Sequence, residues 1–318
     1  MDRTADIGRE RRRAASLSIA VNVFLLALKA IVGVVTGSLA LWASAADSLL
    51  DLSASSFAYL GVRLGSRPPD DTHPYGHEKF ESLSSLIQLG LLFVTVGIIV
   101  AEAWDRLTGE IEVNAPLAGV AVILVALVVD FWISRRLKRT SVETGGSEAL
   151  EADALHFATD VWSNIAVIVG LVAVRFGAPI ADPLAAFVVA GLVAVTAVGL
   201  LRSTAGSLLD AAPDEGTVRD ITEILCRSPR VVDHHTLRAR TVGSRIYLDV
   251  CLELDPDLSF EAAHDLSHRV KDDLYAEIEG LADVVIHFEP AGHPEHQDEE
   301  HHAHGFDALT FSDHRHED

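Results

Sequence analysis

Apolar residues dominate the first two thirds of the chain, where they form six separate segments. Each segment approaches the roughly 20 residues that a helix needs to cross the hydrocarbon core of a bilayer. The pattern predicts six transmembrane helices, at Ala15–Thr36, Ser38–Leu60, Ser82–Ala103, Ala115–Ile133, Ala154–Phe176 and Pro183–Leu201.

The pattern changes after residue 208, where helical and strand periodicities alternate in the order αββαβ. This order predicts a small α+β domain in which helices pack on one sheet. Its predicted elements are a helix from Pro213, strands at Val231–Arg240 and Arg245–Leu254, a helix from Ser259 to about Glu279, and a strand at Val284–His287.

The last 28 residues lose the apolar pattern and hold seven of the 15 histidines, including His301, His302 and His304, among eight acidic residues. Such a composition predicts a disordered tail that attracts metal, although an inert polar tail is the alternative. We therefore divide the chain into an N-terminal segment at 1–14, a six-helix transmembrane domain at 15–208, a soluble α+β domain at 209–290 and a tail at 291–318.

Composition supports a membrane protein with an acidic soluble part. The chain is 49% hydrophobic and its mean hydropathy is +0.27, which is too apolar for an ordinary soluble domain. The stretch from Ala211 onward holds 25 of the 46 acidic residues. It holds only 9 of the 25 basic residues. This acidity argues against a nucleic-acid partner and for metal cations. The two cysteines imply no disulfide framework, and we see no cleavable signal peptide.

Basic residues predict the orientation, because cytoplasmic loops carry an excess of Lys and Arg. They cluster in the N-terminal segment and in the loops after the second and fourth helices. We therefore expect both termini, and the soluble domain, on the cytoplasmic side of the plasma (inner) membrane.

Two of the predicted helices carry charged residues at a spacing of four, which places both side chains on one face. An Asp at the centre of a membrane helix costs about 2.5–3.5 kcal/mol on insertion scales, so an uncompensated Asp is not expected. Three carboxylates and one imidazole facing each other would form a tetrahedral site for a divalent cation such as Zn²⁺. The four candidates are Asp47, Asp51, His156 and Asp160.

Other polar residues in these segments have less specific interpretations. The four candidate metal ligands have an alternative interpretation, in which they only make polar contacts between helices. Serine and threonine usually make such contacts in membranes. We expect Lys29 either to face the bundle interior with Asn22 or to snorkel. Glu102 and Asp130 lie near predicted helix ends, so we expect both at the interface rather than in the ion path.

Two further groups of possible ligands lie outside the predicted helices. In the second loop, Asp70, His73 and His77 form either a solvated turn or an exposed metal site. In the soluble domain, several ligand-type residues favour metal binding, although a single surface histidine usually means nothing. They are His234, His235, Cys251, His264, His268, His287 and Glu289.

Three motifs together resemble the cation diffusion facilitator family, of the bacterial zinc and iron efflux type. They are Asp47-Ser48-Leu49-Leu50-Asp51 with its preceding Ala46, the run from His73 to Glu81, and the run from Asp153 to Asp160. The resemblance covers about Ala14 to Pro290. It implies a homodimer of six-helix protomers, each with a cytoplasmic ferredoxin-like domain, that exports a divalent metal in exchange for protons.

The resemblance also assigns roles to residues. Asp47, Asp51, His156 and Asp160 match the family's transport site, and Asp70, His73 and His77 match its loop site. His235, His264, His287 and Glu289 fall on its cytoplasmic site, where Cys251 replaces a usual histidine and Glu289 a usual aspartate. Leu155 matches a hydrophobic gate residue, and Lys79 and Asp210 match a charge pair between loop and domain.

The ligand set indicates a mechanism. Metal binds deprotonated ligands, so its binding releases protons, and His156 titrates nearest to neutral pH, which makes it the candidate proton carrier. Zn²⁺ is the first choice, with Fe²⁺, Co²⁺ or Cd²⁺ possible. The alternatives are a non-transporting membrane metal sensor or assembly partner, and an intramembrane hydrolase, for which we find no nucleophile. We expect no enzyme and no organic cofactor.

Overall fold

The computed structural model describes residues 3–37, 39–108, 117–176 and 180–292. These residues divide into two compact units, one up to Leu208 and one from Leu209 onward. The predicted histidine-rich tail lies outside the described residues from His293 on.

The first unit consists of long helices. Six are seen in its described residues: α1 (Arg3–Thr36), α2 (Leu39–Gly65), α3 (Lys79–Thr108), α4 (Leu117–Glu143), α5 (Glu148–Arg175) and α6 (Ala181–Leu208). Helix α1 packs on α2, α4 on α5 and α3 on α6. Several helices extend beyond the predicted apolar segments, because the flanking charged residues are also helical. In α1, Arg12 Nε donates to Gly8 O at 3.0 Å, upstream of the predicted start at Ala15.

Three of these helices are long and apolar enough to cross a membrane by length and composition: Asp6–Thr36, Lys79–Thr108 and Pro183–Leu208. In each of these helices, most residues of the apolar stretch are not buried within the unit. Such an exposed apolar surface is suited to contact with lipid. Helices α2 and α5 instead bear polar side chains that point inward. Ser55 and Asp153 are fully buried there, so the interior of this unit is polar in part.

The second unit contains two helices and one three-stranded sheet. Its elements are α7 (Glu215–Leu225), β1 (Val231–Val242), β2 (Arg245–Leu254), α8 (Phe260–Glu277) and β3 (Leu281–Pro290). The strand order is β1-β2-β3, with β1 antiparallel and β3 parallel to β2. The predicted element order is thus observed. The third strand is longer than predicted, because β3 pairs with β2 along its whole length.

Capping and packing explain these elements. Ser259 Oγ accepts the Ala262 N–H at the start of α8, and Asp214 caps α7 in the same way. Leu248 and Leu252 of β2 are buried with Leu274 of α8 in one apolar core. The alternation in β2 ends at Val250, where three successive residues are buried. Cys251 is therefore buried on the face of the sheet opposite to Leu252.

Candidate metal sites

Three predicted ligands meet inside the helical unit. Asp51 of α2 and His156 and Asp160 of α5 each offer one ligand atom, and these atoms lie within 4.8 Å of one another. His156 Nε2 lies 3.0 Å from Asp51 Oδ1, and His156 is buried. The four-residue spacing on α5 places both of its ligands toward α2. The arrangement offers one imidazole nitrogen and two carboxylates to a cation.

A network of hydroxyl and amide groups supports this cluster from behind. Asp153, fully buried one turn before His156, accepts hydrogen bonds from Ser18 Oγ at 2.5 Å and Ser55 Oγ at 2.7 Å. Asn22 Nδ2 donates to Ser55 Oγ at 2.8 Å and to the Asp51 backbone oxygen at 3.2 Å. The network joins α1, α2 and α5 and holds the backbone of Asp51 in place.

The fourth predicted ligand is placed differently. Asp47 lies one turn before Asp51 on α2, is exposed, and does not belong to the group that converges within 4.8 Å. Lys29, expected either to face inward or to snorkel, donates from Nζ to Ser48 Oγ at 2.7 Å. A like charge at Asp51 disfavours a closer approach of Asp47 without a cation between them.

Asp130 does not lie near a helix end, which was the ground for expecting it at the interface. It lies at the middle of α4 and is 3% exposed. Asn164 Nδ2 of α5 donates to Asp130 Oδ2 at 3.4 Å. The predicted helix end at Ile133 was wrong, because α4 continues to Glu143 and Asp130 is central in the helix.

The loop ligands form a compact turn between α2 and α3. Asp70 Oδ1 lies 3.4 Å from His73 Nδ1, and Asp70 Oδ2 lies 3.3 Å from His77 Nε2. The ring centroids of His73 and His77 are 4.4 Å apart. Hydrogen bonds from the Thr72 hydroxyl and from the His73 and Thr72 backbone lower the pKa of Asp70 below its ordinary range. The carboxylate is therefore ionised and available to a cation at neutral pH.

A third cluster lies on the sheet of the second unit. His235 of β1, Cys251 of β2 and Glu289 of β3 place their ligand atoms within 4.8 Å of one another. His235 Nε2 lies 3.0 Å from Glu289 Oε1. Burial, together with the charges of Glu289 and Glu253, raises the pKa of the Cys251 thiol to about 12.

A backbone irregularity positions His235. The register of β1 against β2 shifts between His235 and Arg238, and Thr236 has a φ of 54°. The left-handed region is unfavourable for a β-branched residue, so the surrounding structure must stabilise it. His235 Nδ1 lies 2.9 Å from Thr236 Oγ1, which directs Nε2 toward Glu289. Nothing in the sequence pattern indicated this bulge.

The other candidates of the second unit do not belong to the group of ligand atoms that converges within 4.8 Å. His287 is the register partner of Cys251, but its ring is exposed and its Nε2 lies 3.9 Å from Glu289 Oε2. His264 is exposed on α8, with its ring 4.5 Å from that of His268. His234 is buried with Nδ1 3.5 Å from Cys226 Sγ. Metal binding by these residues stays a prediction.

The gate and interlock candidates also stay predictions. Leu155 is partly buried and packs on the apolar cluster that includes Leu89 and Val193. Lys79 Nζ donates to the Leu208 backbone oxygen at 3.4 Å, and Asp210 pairs with Arg240 at 3.3 Å.

A buried ion pair near one end of the bundle escaped the sequence interpretation. Arg11 Nη1 lies 3.1 Å from Glu81 Oε1, and Arg11 also donates to the Thr144 and Gly146 backbone oxygens. Ser147 Oγ donates to Glu81 Oε2 at 2.5 Å. The pair connects α1 and α3 to the turn between α4 and α5. Glu81 is the last residue of the motif that begins at His73. Its partner Arg11, in the basic N-terminal segment, could not be identified from the spacing of residues.

The chain matches two family profiles of cation efflux proteins. Residues 15–209 match a family profile described as the cation efflux transmembrane domain, and residues 213–291 match the cytoplasmic domain of cation efflux proteins. The chain belongs to the cation diffusion facilitator family of cation efflux proteins. It is thus a metal cation efflux transporter of the membrane, with a helical transmembrane domain and a cytoplasmic domain that contains a small sheet.

Two of the relatives found, from rice and from Shewanella oneidensis, agree with this membership. Metal tolerance protein 2 of Oryza sativa subsp. japonica is 32% identical over 309 residues, covering 88% of this chain and 78% of the rice protein. The cation-efflux pump FieF of Shewanella oneidensis is 32% identical over 277 residues, covering 87% and 93%. A solved metal-bound C-terminal domain of the CzcD transporter from Thermotoga maritima is 30% identical, covers 25% of this chain and 92% of that one, and has a TM-score of 0.24.

Proposed function

We propose that this protein exports a divalent metal, Zn²⁺ first, in exchange for protons by alternating access. In this proposal it is a homodimer in the plasma (inner) membrane, and each protomer has six spans, cytoplasmic termini and a ferredoxin-like cytoplasmic domain. One observation carries the proposal: Asp51, His156 and Asp160 offer ligand atoms within 4.8 Å of one another inside the helical unit. Asp47, one turn away on α2, would complete a four-ligand site once a cation attracts it.

Ligand chemistry supports the exchange of metal for protons. A metal binds carboxylates and a neutral imidazole, so each binding event competes with protons on the same atoms. When the site opens to an acidic outer side, protons displace the metal; when it opens to the cytoplasm, metal displaces protons. His156 is the main proton carrier in this scheme, because imidazole titrates nearest to neutral pH.

The positions of the ligands suit alternating access. Asp51 belongs to α2, and His156 and Asp160 belong to α5, so a small rocking of these two helices changes the side from which the cation is reached. Leu155, next to His156, would close the path as a gate residue. Lys79 and Asp210 would link the transport domain to the cytoplasmic domain.

The remaining clusters have supporting roles in this proposal. Asp70, His73 and His77 would bind metal at the loop. His235, Cys251 and Glu289, together with His264 and His287, would sense cytoplasmic metal and favour the transporting dimer. The thiol of Cys251 gives this cluster a softer ligand than the carboxylates of the transport site.

Reconstituted flux tests the proposal. We expect wild-type protein in liposomes to accumulate Zn²⁺ with release of protons, and Asp160→Asn to abolish the uptake. Asp105→Asn, which changes an exposed carboxylate at the end of α3, is the matched control and should transport normally. Zinc uptake by Asp160→Asn at the wild-type rate contradicts the proposal. A wild-type protein that binds zinc but moves none would favour the non-transporting metal sensor.

A further inference from the structure

Three buried carboxylates outside the predicted ligand set are seen among the described residues of the helical unit: Glu81, Asp130 and Asp153. Glu81 pairs with Arg11, and the other two differ in their hydrogen bonds. Asp153 accepts a hydrogen bond on each carboxylate oxygen, from Ser18 and Ser55. Asp130 accepts only the long 3.4 Å contact from Asn164 on Oδ2. Its Oδ1 is buried and receives no hydrogen bond from the residues that the structure describes. Asp153 is therefore satisfied as a structural group, and Asp130 is not.

An unsatisfied buried carboxylate oxygen is costly and calls for a cation or a donor that reaches it. Asp130 is nine-tenths or more buried at the middle of α4, so bulk water does not supply one. Lys29 interacts electrostatically with Asp130, but its Nζ already donates to Ser48 Oγ at 2.7 Å.

Asp130 belongs to the surroundings of the transport cluster. Its partner Asn164 lies one turn after Asp160 on α5, so both side chains project from one face of that helix. The charged groups that act on Asp130 include Asp160 and His156 of α5, Asp51 of α2 and Lys29 of α1. Asp51, Asp160 and Asp130 thus bring three carboxylates to one region together with Lys29, and a divalent ion reduces the excess negative charge.

We propose that Asp130 is a further cation-binding residue of the transport site, which adds a carboxylate oxygen from α4 to those of α2 and α5. The inference rests on the function proposed above. An added oxygen ligand favours cations that accept more than four oxygen-rich ligands, such as Mn²⁺, over Zn²⁺ in a tetrahedral site. Asp130 therefore determines part of the metal specificity.

The test compares metals in one reconstituted protein. We expect Asp130→Asn, which keeps the shape and removes the charge, to lower the ratio of Mn²⁺ to Zn²⁺ uptake by about tenfold or more, the scale on which the surroundings of a metal site matter. Asp153→Asn is the matched control for loss of a buried carboxylate. It should lower both fluxes together and leave their ratio within about twofold, because Asp153 is satisfied by serines.

A second measurement does not depend on transport. The electron paramagnetic resonance signal of Mn²⁺ bound to the purified full-length protein should weaken in Asp130→Asn more than in Asp153→Asn. An unchanged uptake ratio, an equal fall for both metals, or a wild-type protein that carries Zn²⁺ and not Mn²⁺ overturns the inference. If Asp160→Asn abolishes uptake of both metals while Asp130→Asn keeps their ratio, only this inference fails; if Asp160→Asn has no effect, the proposed function fails.

Discussion

Two clusters are built from similar ligands on different scaffolds: the proposed transport cluster in the helical unit (Asp51, His156 and Asp160) and the sheet cluster in the second unit (His235, Cys251 and Glu289). Both offer one imidazole and at least one carboxylate, at Asp51, His156 and Asp160 in the first and at His235 and Glu289 in the second. The third ligand differs, because Asp160 is replaced by the thiol of Cys251. The two clusters should therefore differ in metal preference even though their geometry is similar.

The scaffolds also differ in what they allow to move. Helices α2 and α5 meet through side chains, so their ligands can separate when the helices shift. In the sheet, His235 pairs with Cys251 across hydrogen-bonded strands, and the third strand is in register beside them. Backbone ladders hold these ligands at fixed spacing. The first cluster is therefore suited to release its ion, and the second to retain it.

The largest expected effect comes from removing the imidazole of each cluster in turn. We expect His156→Gln to lower zinc flux in liposomes by about 100-fold or more, because it removes a direct ligand and the proton carrier. His235→Gln should leave the maximum flux and shift only its dependence on cytoplasmic metal. Equal losses in the two variants would remove the functional distinction between the clusters.

The next largest effect concerns the soft ligand. Cys251→Ser should weaken Cd²⁺ binding to the sheet cluster by about 10- to 100-fold, and Zn²⁺ binding less, because thiolate prefers the softer ion. Calorimetry on the full-length protein with Asp51→Ala and Asp160→Ala would isolate this cluster from the transport cluster. Cys226→Ser, which changes the other cysteine, is the matched control and should not alter the preference for Cd²⁺.

The pH dependence of the sheet cluster should be steep. Since burial and the nearby Glu289 and Glu253 raise the pKa of Cys251 to about 12, its thiol is protonated at pH 7–9, and metal must displace that proton. Apparent metal affinity should rise about tenfold per pH unit in this range. In Cys251→Ser the slope should be shallower, and an unchanged slope would mean that Cys251 is not a ligand.

The smallest effect is expected from a substitution that changes the scaffold of the second unit and none of the metal ligands. Ser259→Ala removes the N-cap of α8 and should destabilise that helix by about 1 kcal/mol, without a change in metal affinity. Hydrogen exchange of α8 amides should then be about fivefold faster. Ser259→Asp retains an acceptor and should exchange at the wild-type rate. A matching loss of metal affinity in Ser259→Ala would show that the scaffold and the ligands are coupled.

Local spacing in the sequence was enough to propose the transport ligands. Asp and His four residues apart in apolar segments can share a helix face, which is how His156 and Asp160 are placed. The element order of the second unit also followed from local periodicity. Alternation in β2 correctly predicted a strand, and Ser259 marked the start of α8.

What the sequence could not give depends on contacts between distant segments. The donors to Asp153 come from Ser18 and Ser55, which lie 135 and 98 residues away. The side-chain environment of Asp130 depends on how α4 packs on α5. The bulge at Thr236 depends on the register between strands, which no local pattern specifies.

The central claim is that Asp51, His156 and Asp160 together hold one ion inside the helical unit. The most direct test is the zinc content per chain at saturation, measured by mass spectrometry of the metal, in wild type and in the triple variant Asp51→Asn, His156→Gln and Asp160→Asn. We expect the triple variant to bind one zinc ion fewer per chain, and Asp105→Asn to bind the wild-type number. Equal zinc content in the wild type and the triple variant would contradict the account.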